Sequence, residues 1–355
     1  MPPRAMPPRA TPPRATPPLP RALLLDDPRF DLHAPPGHHP ERPERLVAAR
    51  AAVQGAAVAF EHVPAREATN EELGRVHDAA FLEQLERARG ARTHLDADTY
   101  LARDSVSVAR LAAGGLVDVV ERVLTGPVRQ GLSIARPPGH HARPGKAMGF
   151  CVFNSVAVAA AHARARGVGR VAIVDFDVHH GNGTQEMFYD DPSVLYVSTH
   201  QSPLYPGTGH STERGGGEGL GATLNVPLTA GGGDDVYRGA FERVVLPALE
   251  EFAPELVLVS AGFDAALRDP LSEMRLDSAA FGWLTRALRR VADVSAEGRT
   301  VVTLEGGYDL VALETGLSAA ILGLTGQAEE IARDVDHPDV ARAATAARAS
   351  FRRVT

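Results

Sequence analysis

The chain has 355 residues, with 37 Lys and Arg against 44 Asp and Glu, and a formal charge of −7. Hydrophobic residues make up 44% of the sequence, enough to bury a large core, which excludes a mainly disordered or fibrous protein. The acidic balance argues against a nucleic-acid partner. The single cysteine, Cys151, excludes an internal disulfide and a thiolate zinc site, so His and carboxylate side chains must hold any metal.

The first residues form a low-complexity segment. PPRA recurs at positions 2–5, 7–10 and 12–15, and its paired prolines favour extended, solvated chain. We expect residues 1–22 to be a disordered leader; a basic tether, or translation from Met6 or later, is the alternative. The segment lacks the apolar core of a secretory signal, and no run approaches the ~18 apolar residues of a membrane span. The sequence therefore predicts a cytoplasmic protein with no membrane partner.

From Leu23 onwards, short apolar runs alternate with longer amphipathic segments. We predict strands over residues 131–136, 171–177, 193–199, 222–228, 255–261 and 300–306. We predict helices over residues 105–124, 154–166, 235–252, 277–297 and 309–323. This alternation is typical of parallel βα units with both sheet faces covered. The prediction is a single α/β domain over 23–325, with a central, mostly parallel sheet flanked by helices, a surface loop at 215–221 and one peripheral helix within 326–355.

Polar motifs follow the carboxyl ends of five of these strands. They are ARPPGHHARP, DFDVHHGNGTQ, STH, SAGFDA and LEGGYD. Ligands bind at this edge of open α/β sheets. We therefore expect the five segments to meet there and to form one functional site, because a purely structural protein has no need to gather polar residues at one edge.

The second of these motifs carries metal-ligand chemistry. Asp175, Asp177 and His179 alternate, which in an extended strand would space neighbours about 6.6 Å apart, too far for one metal to bind all three. Asp177 and His179 together with Asp264, from SAGFDA, form the better set. Three protein ligands with an open position for water are typical of a catalytic zinc. Structural carboxylates that cap loops are the alternative.

A general base is also expected near this metal. Two carboxylates and one imidazole nearly neutralise a divalent ion, which then acidifies its water less than a zinc held by three histidines does. His140 and His141 of the GHH motif are the candidate bases. An isolated His is more often a core or surface residue, but a His pair after a strand and a Pro-Pro turn, opposite a metal motif, favours catalysis.

The motifs, in this order, resemble the zinc-dependent histone deacetylase family, especially its class II and bacterial amidohydrolase branch. GHHPERPERL, MGFCVFNSVAVAA, LYPGTG and DPL add to the likeness, which covers residues 23–325. The resemblance implies an arginase-deacetylase fold and hydrolysis of N-acetyl-lysine amides in proteins or peptides, with release of acetate. It implies one Zn²⁺ per chain, bound by Asp177, His179 and Asp264.

The resemblance also assigns roles around the metal. His140 and His141 are the implied histidine pair, backed by Asp175 and Asn182 respectively. A carboxylate raises the pKa of its histidine partner more than an amide does, so we expect His141 to be the neutral base and His140 the electrostatic partner. Tyr308 is implied to polarise the acetyl carbonyl and to stabilise the oxyanion.

A substrate channel and a second ion are implied in the same way. The channel has Phe150 and Tyr205 as aromatic walls and the Gly149 carbonyl as acceptor for the substrate N–H. Leu271 stands where polyamine-specific relatives carry an acidic residue, which favours acyl-lysine, although Glu273 lies close by. A structural K⁺ is implied at the backbone oxygens of Asp175, Asp177, His179, Ser198 and Thr199. Four residues, His38, His39, Arg42 and Arg45, resemble the entry-loop segment of the family. The alternative is a plain polar loop before a helix.

Other functions stay open. An acetylpolyamine amidohydrolase shares the chemistry and differs at the rim, a binuclear manganese ureohydrolase shares the fold, and an inactive acyl-ligand binding module would not need the full set of motifs. Ferrous iron is an alternative to zinc. The expected partners are acetylated proteins, peptides or polyamines, and a homo-oligomer stays open. The four arginines of the leader leave a charge of −11 on the remaining residues, which favours cationic substrates by long-range attraction.

Overall fold

The structure is a computed structural model that describes residues 19–329 and 336–351. Most of the predicted leader lies outside the described residues, so its disorder stays a prediction. The first strand, β1 (Arg21–Leu25), begins two residues before the predicted domain start at position 23. Arg21 pairs with Ala59 of a neighbouring strand, and Ala22 is fully buried. The leader therefore ends earlier than the sequence predicted.

Eight strands form the central sheet. In addition to β1 they are β2 (Ala59–His62), β5 (Gln130–Ser133), β6 (Val171–Asp175), β7 (Val194–Gln201), β8 (Thr223–Leu228), β9 (Leu256–Ala261) and β10 (Thr300–Leu304). Their spatial order is β2-β1-β5-β10-β9-β6-β7-β8, and every pairing between them is parallel. A separate antiparallel ribbon joins β3 (Thr93–His94) and β4 (Tyr100–Leu101). The predicted α/β fold with a mostly parallel sheet is confirmed.

Helices cover both faces of the sheet. They are α1 (Glu44–Gly55), α2 (Asn70–Leu73), α3 (Ala79–Arg87), α4 (Ser105–Thr125), α5 (Ser155–Ala165), α6 (Asn182–Met187), α7 (Asp234–Ala240), α8 (Leu246–Phe252), α9 (Ser278–Ser295), α10 (Leu310–Leu324) and α11 (Pro338–Phe351). Val259 of β9 packs into a hydrophobic layer with α9 and α10, and the preceding Leu258 packs into a layer with α4 and α5. Burial on both faces explains why the central strands are continuously apolar. Within the described ranges, no helix is long and apolar enough to cross a membrane.

The helix predicted over 235–252 is interrupted. A π-helical turn, Phe241–Val245, separates α7 from α8, and the Leu246 N–H donates to the Phe241 carbonyl, five residues back. Pro247 stands in the first turn of α8 and has no N–H to donate to the carbonyl four residues before it. The wider π-helical turn places Pro247, which lacks a backbone donor, at the start of a new helix. The chain therefore passes from α7 into α8 without a break.

The carboxyl-terminal helix is less peripheral than predicted. Within the predicted segment 326–355, α11 occupies only Pro338–Phe351. It packs beside β8 and buries Val340, Ala343 and Ala347 in the hydrophobic layer that holds α9 and α10. The helix therefore closes one edge of the core. The predicted surface loop at 215–221 contains only a short 3₁₀ turn, Gly217–Gly219.

Candidate functional site

The five polar motifs meet because their strands are neighbours. In the sheet order, β5, β10, β9, β6 and β7 stand side by side, and all five run in the same direction. Each of these strands ends near one of the motifs, at the same edge. The chain thus brings residues 134–154, 176–181, 198–200, 262–269 and 305–309 together at the carboxyl ends of the strands, as the sequence predicted.

The three predicted metal ligands converge at this edge. β6 ends at Asp175, so Asp177 and His179 lie in the following bend and escape the spacing of an extended strand. Nδ1 of His179 lies 3.2 Å from Oδ1 of Asp177 and 3.1 Å from Oδ2 of Asp264. The ligand atoms of all three residues lie within 4.8 Å of one another and are buried. One cation can therefore contact all three side chains.

The surroundings of the carboxylates fit a divalent cation. Gly306 N–H donates to Oδ2 of Asp177 at 2.7 Å, and Val178 N–H donates to Oδ1 of Asp264 at 3.0 Å. These donors orient the oxygens but leave two buried carboxylates side by side. Although burial opposes the charge of His179, the two carboxylates raise its pKa to about 10. Oxygen and imidazole donors suit Zn²⁺ or Fe²⁺, so the residues fit the implied metal.

A second group of potential ligand atoms lies deeper in the protein. His140, Cys151 and Glu305 are buried there, and the group shares no residue with the first. Glu305 already accepts hydrogen bonds from Gly139 N–H at 2.6 Å and from Ser260 Oγ at 3.1 Å. Burial raises the pKa of the Cys151 thiol well above its ordinary value, so this side chain stays a thiol. This environment fits a packing role for Cys151.

The histidine pair has the partners that the resemblance implied. Nδ1 of His140 lies 3.0 Å from Oδ2 of Asp175, and Nδ1 of His141 lies 2.8 Å from Oδ1 of Asn182. Burial opposes protonation of both rings, but Asp175 and then Asp177 outweigh it at His140 and raise its pKa to about 10. At His141, burial and the neighbouring His140 lower the pKa well below its ordinary value. The two rings therefore carry different charges.

Contacts to both the backbone and the ring of Tyr308 hold this residue in place. Its N–H donates to Oδ2 of Asp269 at 2.6 Å, and the guanidinium carbon of Arg45 lies 5.0 Å from the ring centre. Nε of Arg45 also donates to the Gly307 carbonyl at 2.7 Å. Burial raises the pKa of Tyr308 well above its ordinary value, so its hydroxyl keeps its proton at neutral pH.

Phe150 and Tyr205 flank the site. The Phe150 ring centre lies 5.8 Å from that of Tyr308, while Tyr205 lies 5.1 Å from His141 and is 38% exposed. Gly149 lies between them and adopts a φ of 57°. A Cβ there would lie 2.5 Å from Cδ2 of His141, so only glycine permits this close approach. The predicted channel residues are therefore gathered around the histidine pair.

The rim contains the predicted Leu271. It is half-buried, and its N–H donates to Oδ1 of Asp269 at 3.0 Å. Glu273 is engaged by another residue, because its N–H and its carboxylate both form hydrogen bonds with the Gln201 side chain. Arg268 is exposed and pairs with Asp309 at 3.3 Å. The equivalence of Leu271 to the acidic position of polyamine-specific relatives stays a prediction.

The residues predicted to surround a potassium ion are adjacent. Ser198 of β7 pairs in register with Asp175 of β6, and Thr199 follows it. The Ser198 hydroxyl bonds to Nδ1 of His200 at 2.9 Å. Oγ1 of Thr199 is buried and has no hydrogen-bond partner among the described residues. The potassium site stays a prediction.

The predicted entry loop is only partly an entrance. His38 and Arg42 line a surface cavity of about 460 Å³, and the His39 ring lies 4.7 Å from that of Phe150. Arg45, by contrast, is fully buried in α1 and contacts Glu41 and the loop that carries Tyr308. Its assignment to the entrance is therefore wrong, because Arg45 lies on the buried face of α1 together with Ala48, Ala49 and Ala52.

Sequence reasoning missed three acidic residues at the site. Glu305 lies within the LEGGYD motif and Asp269 is the first residue of DPL, so an acidic residue in each motif was the available signal. Asp98 lies in the DADTY segment, where burial and the neighbouring Asp96 raise its pKa. Thr99, which follows it, accepts a hydrogen bond from the Phe150 N–H at 3.2 Å. The β3–β4 ribbon thus supplies one side of the channel mouth.

Comparisons with known proteins agree with this geometry. Residues 32–324 match the family model for the histone deacetylase domain. The histone deacetylase-like amidohydrolase of Pseudomonas aeruginosa is 44% identical over 275 residues, which cover 76% of this chain and 72% of the relative. The human polyamine deacetylase HDAC10 is 42% identical over 321 residues, which cover 86% of this chain but only 46% of the relative.

A solved structure gives the same result for the fold. The crystal structure of the HDA15 HD domain superposes with a TM-score of 0.85 at 36% sequence identity, and the match covers 94% of this chain and 99% of that one. The matched family model spans most of the sheet and every motif at its carboxyl edge. The chain belongs to the histone deacetylase family.

Proposed function

We propose that the protein hydrolyses N-acetyl-lysine amides in proteins or peptides with a zinc ion bound by Asp177, His179 and Asp264. The observation that carries this proposal is the convergence of those three side chains beside the His140–His141 pair. The names of the relatives, which include histone deacetylases and a polyamine deacetylase, support amide deacetylation as the reaction. The products are acetate and the free amine.

The bound metal would supply a Lewis acid for the acetyl carbonyl and would acidify a water molecule. His141 then acts as the base. Its Nδ1–H donates to Oδ1 of Asn182, which leaves the Nε2 lone pair free to accept the proton of the attacking water. Its lowered pKa, caused by burial and by His140, keeps the ring neutral before the reaction. The same nitrogen can return the proton to the leaving amine.

His140 and Tyr308 stabilise charge. Nδ1–H of His140 donates to Asp175, whose carboxylate favours the charged ring and thus places positive charge next to the developing oxyanion. The Tyr308 hydroxyl keeps its proton because burial raises its pKa. It can therefore donate a hydrogen bond to the acetyl oxygen.

The rim favours acyl-lysine over acetylated polyamines. A polyamine carries several ammonium groups, which an acidic rim residue would attract, and Leu271 offers no charge. Glu273 is engaged by Gln201 and does not replace it. Acetylpolyamine hydrolysis is nevertheless the second candidate, because a polyamine deacetylase is among the relatives.

The test is acetate release by the zinc-loaded protein. We expect kcat/KM for an acetyl-lysine peptide to exceed that for acetylputrescine at least tenfold, and chelator treatment to abolish both activities. The variant Leu271→Glu should shift the ratio towards acetylputrescine, with Val294→Glu on the exposed face of α9 as a control for added charge. The absence of acetate release from both substrates would overturn the proposal, and a wild-type preference for acetylputrescine would favour the second candidate.

A further inference from the structure

Asp269 is a buried carboxylate that the proposed chemistry does not use. It lies in the DPL turn after β9 and is only 6% exposed. Aspartate is rarely buried unless its charge is compensated. Among the described residues, no Lys, Arg or His side chain lies within ion-pair distance of it. Burial and the nearby Asp264 raise its pKa to about 7, so hydrogen-bond donors are the compensation available to its charged form.

Three backbone N–H groups supply that compensation. Oδ1 accepts from Leu271 at 3.0 Å, while Oδ2 accepts from Tyr308 at 2.6 Å and from Asp309 at 3.1 Å. The first bond closes a local turn, and the other two cross to the loop after β10, about 40 residues further along the chain. One side chain therefore connects the rim residue Leu271 to the backbone of Tyr308.

Among the described residues, no other acceptor holds the Tyr308 N–H, although the exposed Arg268 also reaches this loop and pairs with the Asp309 side chain at 3.3 Å. Gly306 N–H is held by Asp177, and the Gly307 carbonyl is held by Arg45. The start of α10 is capped separately, because the Asp309 side chain accepts from Ala312 N–H at 2.8 Å. Loss of the Asp269 carboxylate would thus free the N–H of Tyr308 while leaving both the preceding glycines and the following helix attached.

We propose that Asp269 is a positioning residue that fixes Tyr308 for its role at the acetyl oxygen, an inference that rests on the proposed function. It acts through the Tyr308 backbone and not on the substrate. The Tyr308 and Asp309 N–H bonds to Oδ2 attach the backbone of this loop to the DPL turn, so they define the position of the loop. Displacement of a reacting group by about 1 Å can cost 10²-fold in rate.

The variant Asp269→Asn tests this role. Asparagine has one carbonyl oxygen, so its NH₂ group must face either Leu271 N–H or the two N–H groups of the Tyr308 loop. We expect kcat to fall about 10- to 100-fold, with KM changed less than threefold, because the hydroxyl acts on the transition state.

A double-mutant cycle separates positioning from a general loss of structure. If Asp269 acts through the Tyr308 hydroxyl, Asp269→Asn should lower kcat less than threefold in a Tyr308→Phe background. The matched control is Asp191→Asn, because Oδ1 of Asp191 accepts from Ser193 N–H at 2.8 Å in a similar turn at the opposite edge of the sheet. This control should leave kcat unchanged in both backgrounds. An equal loss from Asp269→Asn with and without the Tyr308 hydroxyl would overturn the proposal.

Amide hydrogen exchange gives a readout that does not depend on turnover. In Asp269→Asn, exchange at the Tyr308 and Asp309 amides should become at least tenfold faster, whereas Asp191→Asn should not alter it. Unchanged exchange rates at these two amides would overturn the positioning role of Asp269, whether or not the wild type releases acetate. A wild type that released no acetate would refute only the proposed function. If Asp269→Asn does not fold, Asp269→Glu keeps the charge and both oxygens, and the same cycle and exchange measurements apply to it.

Discussion

Alanine at Gly306 should weaken metal binding. Gly306 does not adopt a positive φ, so alanine meets little backbone strain there. Its Cβ would lie 2.6 Å from Oδ2 of Asp177 and closer still to Oδ2 of Asp264, whereas ordinary contacts of a Cβ begin at 3.4 Å. The carboxylate of Asp177 would therefore have to move by about 0.8 Å and that of Asp264 by about 1.2 Å, while metal–ligand distances tolerate deviations of only about 0.2 Å. We expect Gly306→Ala to bind zinc about 10- to 100-fold more weakly.

The assay is direct measurement of bound zinc per chain in a series of zinc–chelator buffers. Gly55→Ala is the matched control, because Gly55 ends α1 and nothing lies within 4 Å of a Cβ added there. The control should bind zinc as the wild type does, and both variants should give cooperative thermal unfolding. A zinc affinity of Gly306→Ala within threefold of wild type would refute the assignment of Asp177 and Asp264 as ligands of one metal.

Three further predictions concern activity and stability. Tyr308→Phe should lower kcat about 10²- to 10³-fold, as for the loss of one oxyanion donor, and a loss under threefold in steady-state kinetics would contradict its role. Glu72 contacts Arg66, which lowers the pKa of Glu72 to about 2. The ionised carboxylate therefore stabilises the fold fully above its ordinary pKa of 4.5, and this stabilisation is lost as the pH falls towards 2. The difference in Tm between wild type and Glu72→Gln should therefore shrink between pH 5 and pH 2.5, unlike that for Glu71→Gln, and a constant difference would exclude the linkage. KM for a basic acetyl peptide should rise with ionic strength, because salt screens the acidic body; an unchanged KM between about 0.05 and 0.5 M salt would exclude steering.

The residues of the site could be predicted where the same local sequence pattern, an apolar run followed by a polar motif, occurs several times. Apolar runs that end in polar motifs mark parallel strands, and parallel strands deliver their ends to one edge, so Asp177, Asp264 and His140 could be assigned to a common site before any contact was known. The pairing of His141 with Asn182 followed from the family resemblance and appears in the structure at 2.8 Å. Neither step required knowledge of which strands are neighbours.

The amino-terminal third was less predictable because its signals are weak. β2 is an edge strand whose four residues are mostly exposed, so it lacks the apolar run of a central strand. α1 is rich in alanine and arginine, and its buried face includes Arg45, although arginine is a residue type that is mostly exposed. Arg45 is compensated by Glu41 and by carbonyl groups from the loop after β10. Glu41 is only four residues away, but the carbonyl groups lie about 260 residues further along the chain, and so no local pattern indicates the full set of partners.

The carboxylates of the site also depend on distant partners. Asp177 accepts from Gly306, Asp264 from Val178 and Glu305 from Gly139, so each carboxylate is held by the backbone of a different loop. These bonds fix the loops to one another independently of any metal, and they favour the ionised form of each acid. Burial and Asp177 nevertheless raise the pKa of Asp264, because two carboxylates lie beside His179, which supplies at most one positive charge. The balance of charge at this edge therefore favours a bound cation, and the preorganised loops lower the cost of binding it.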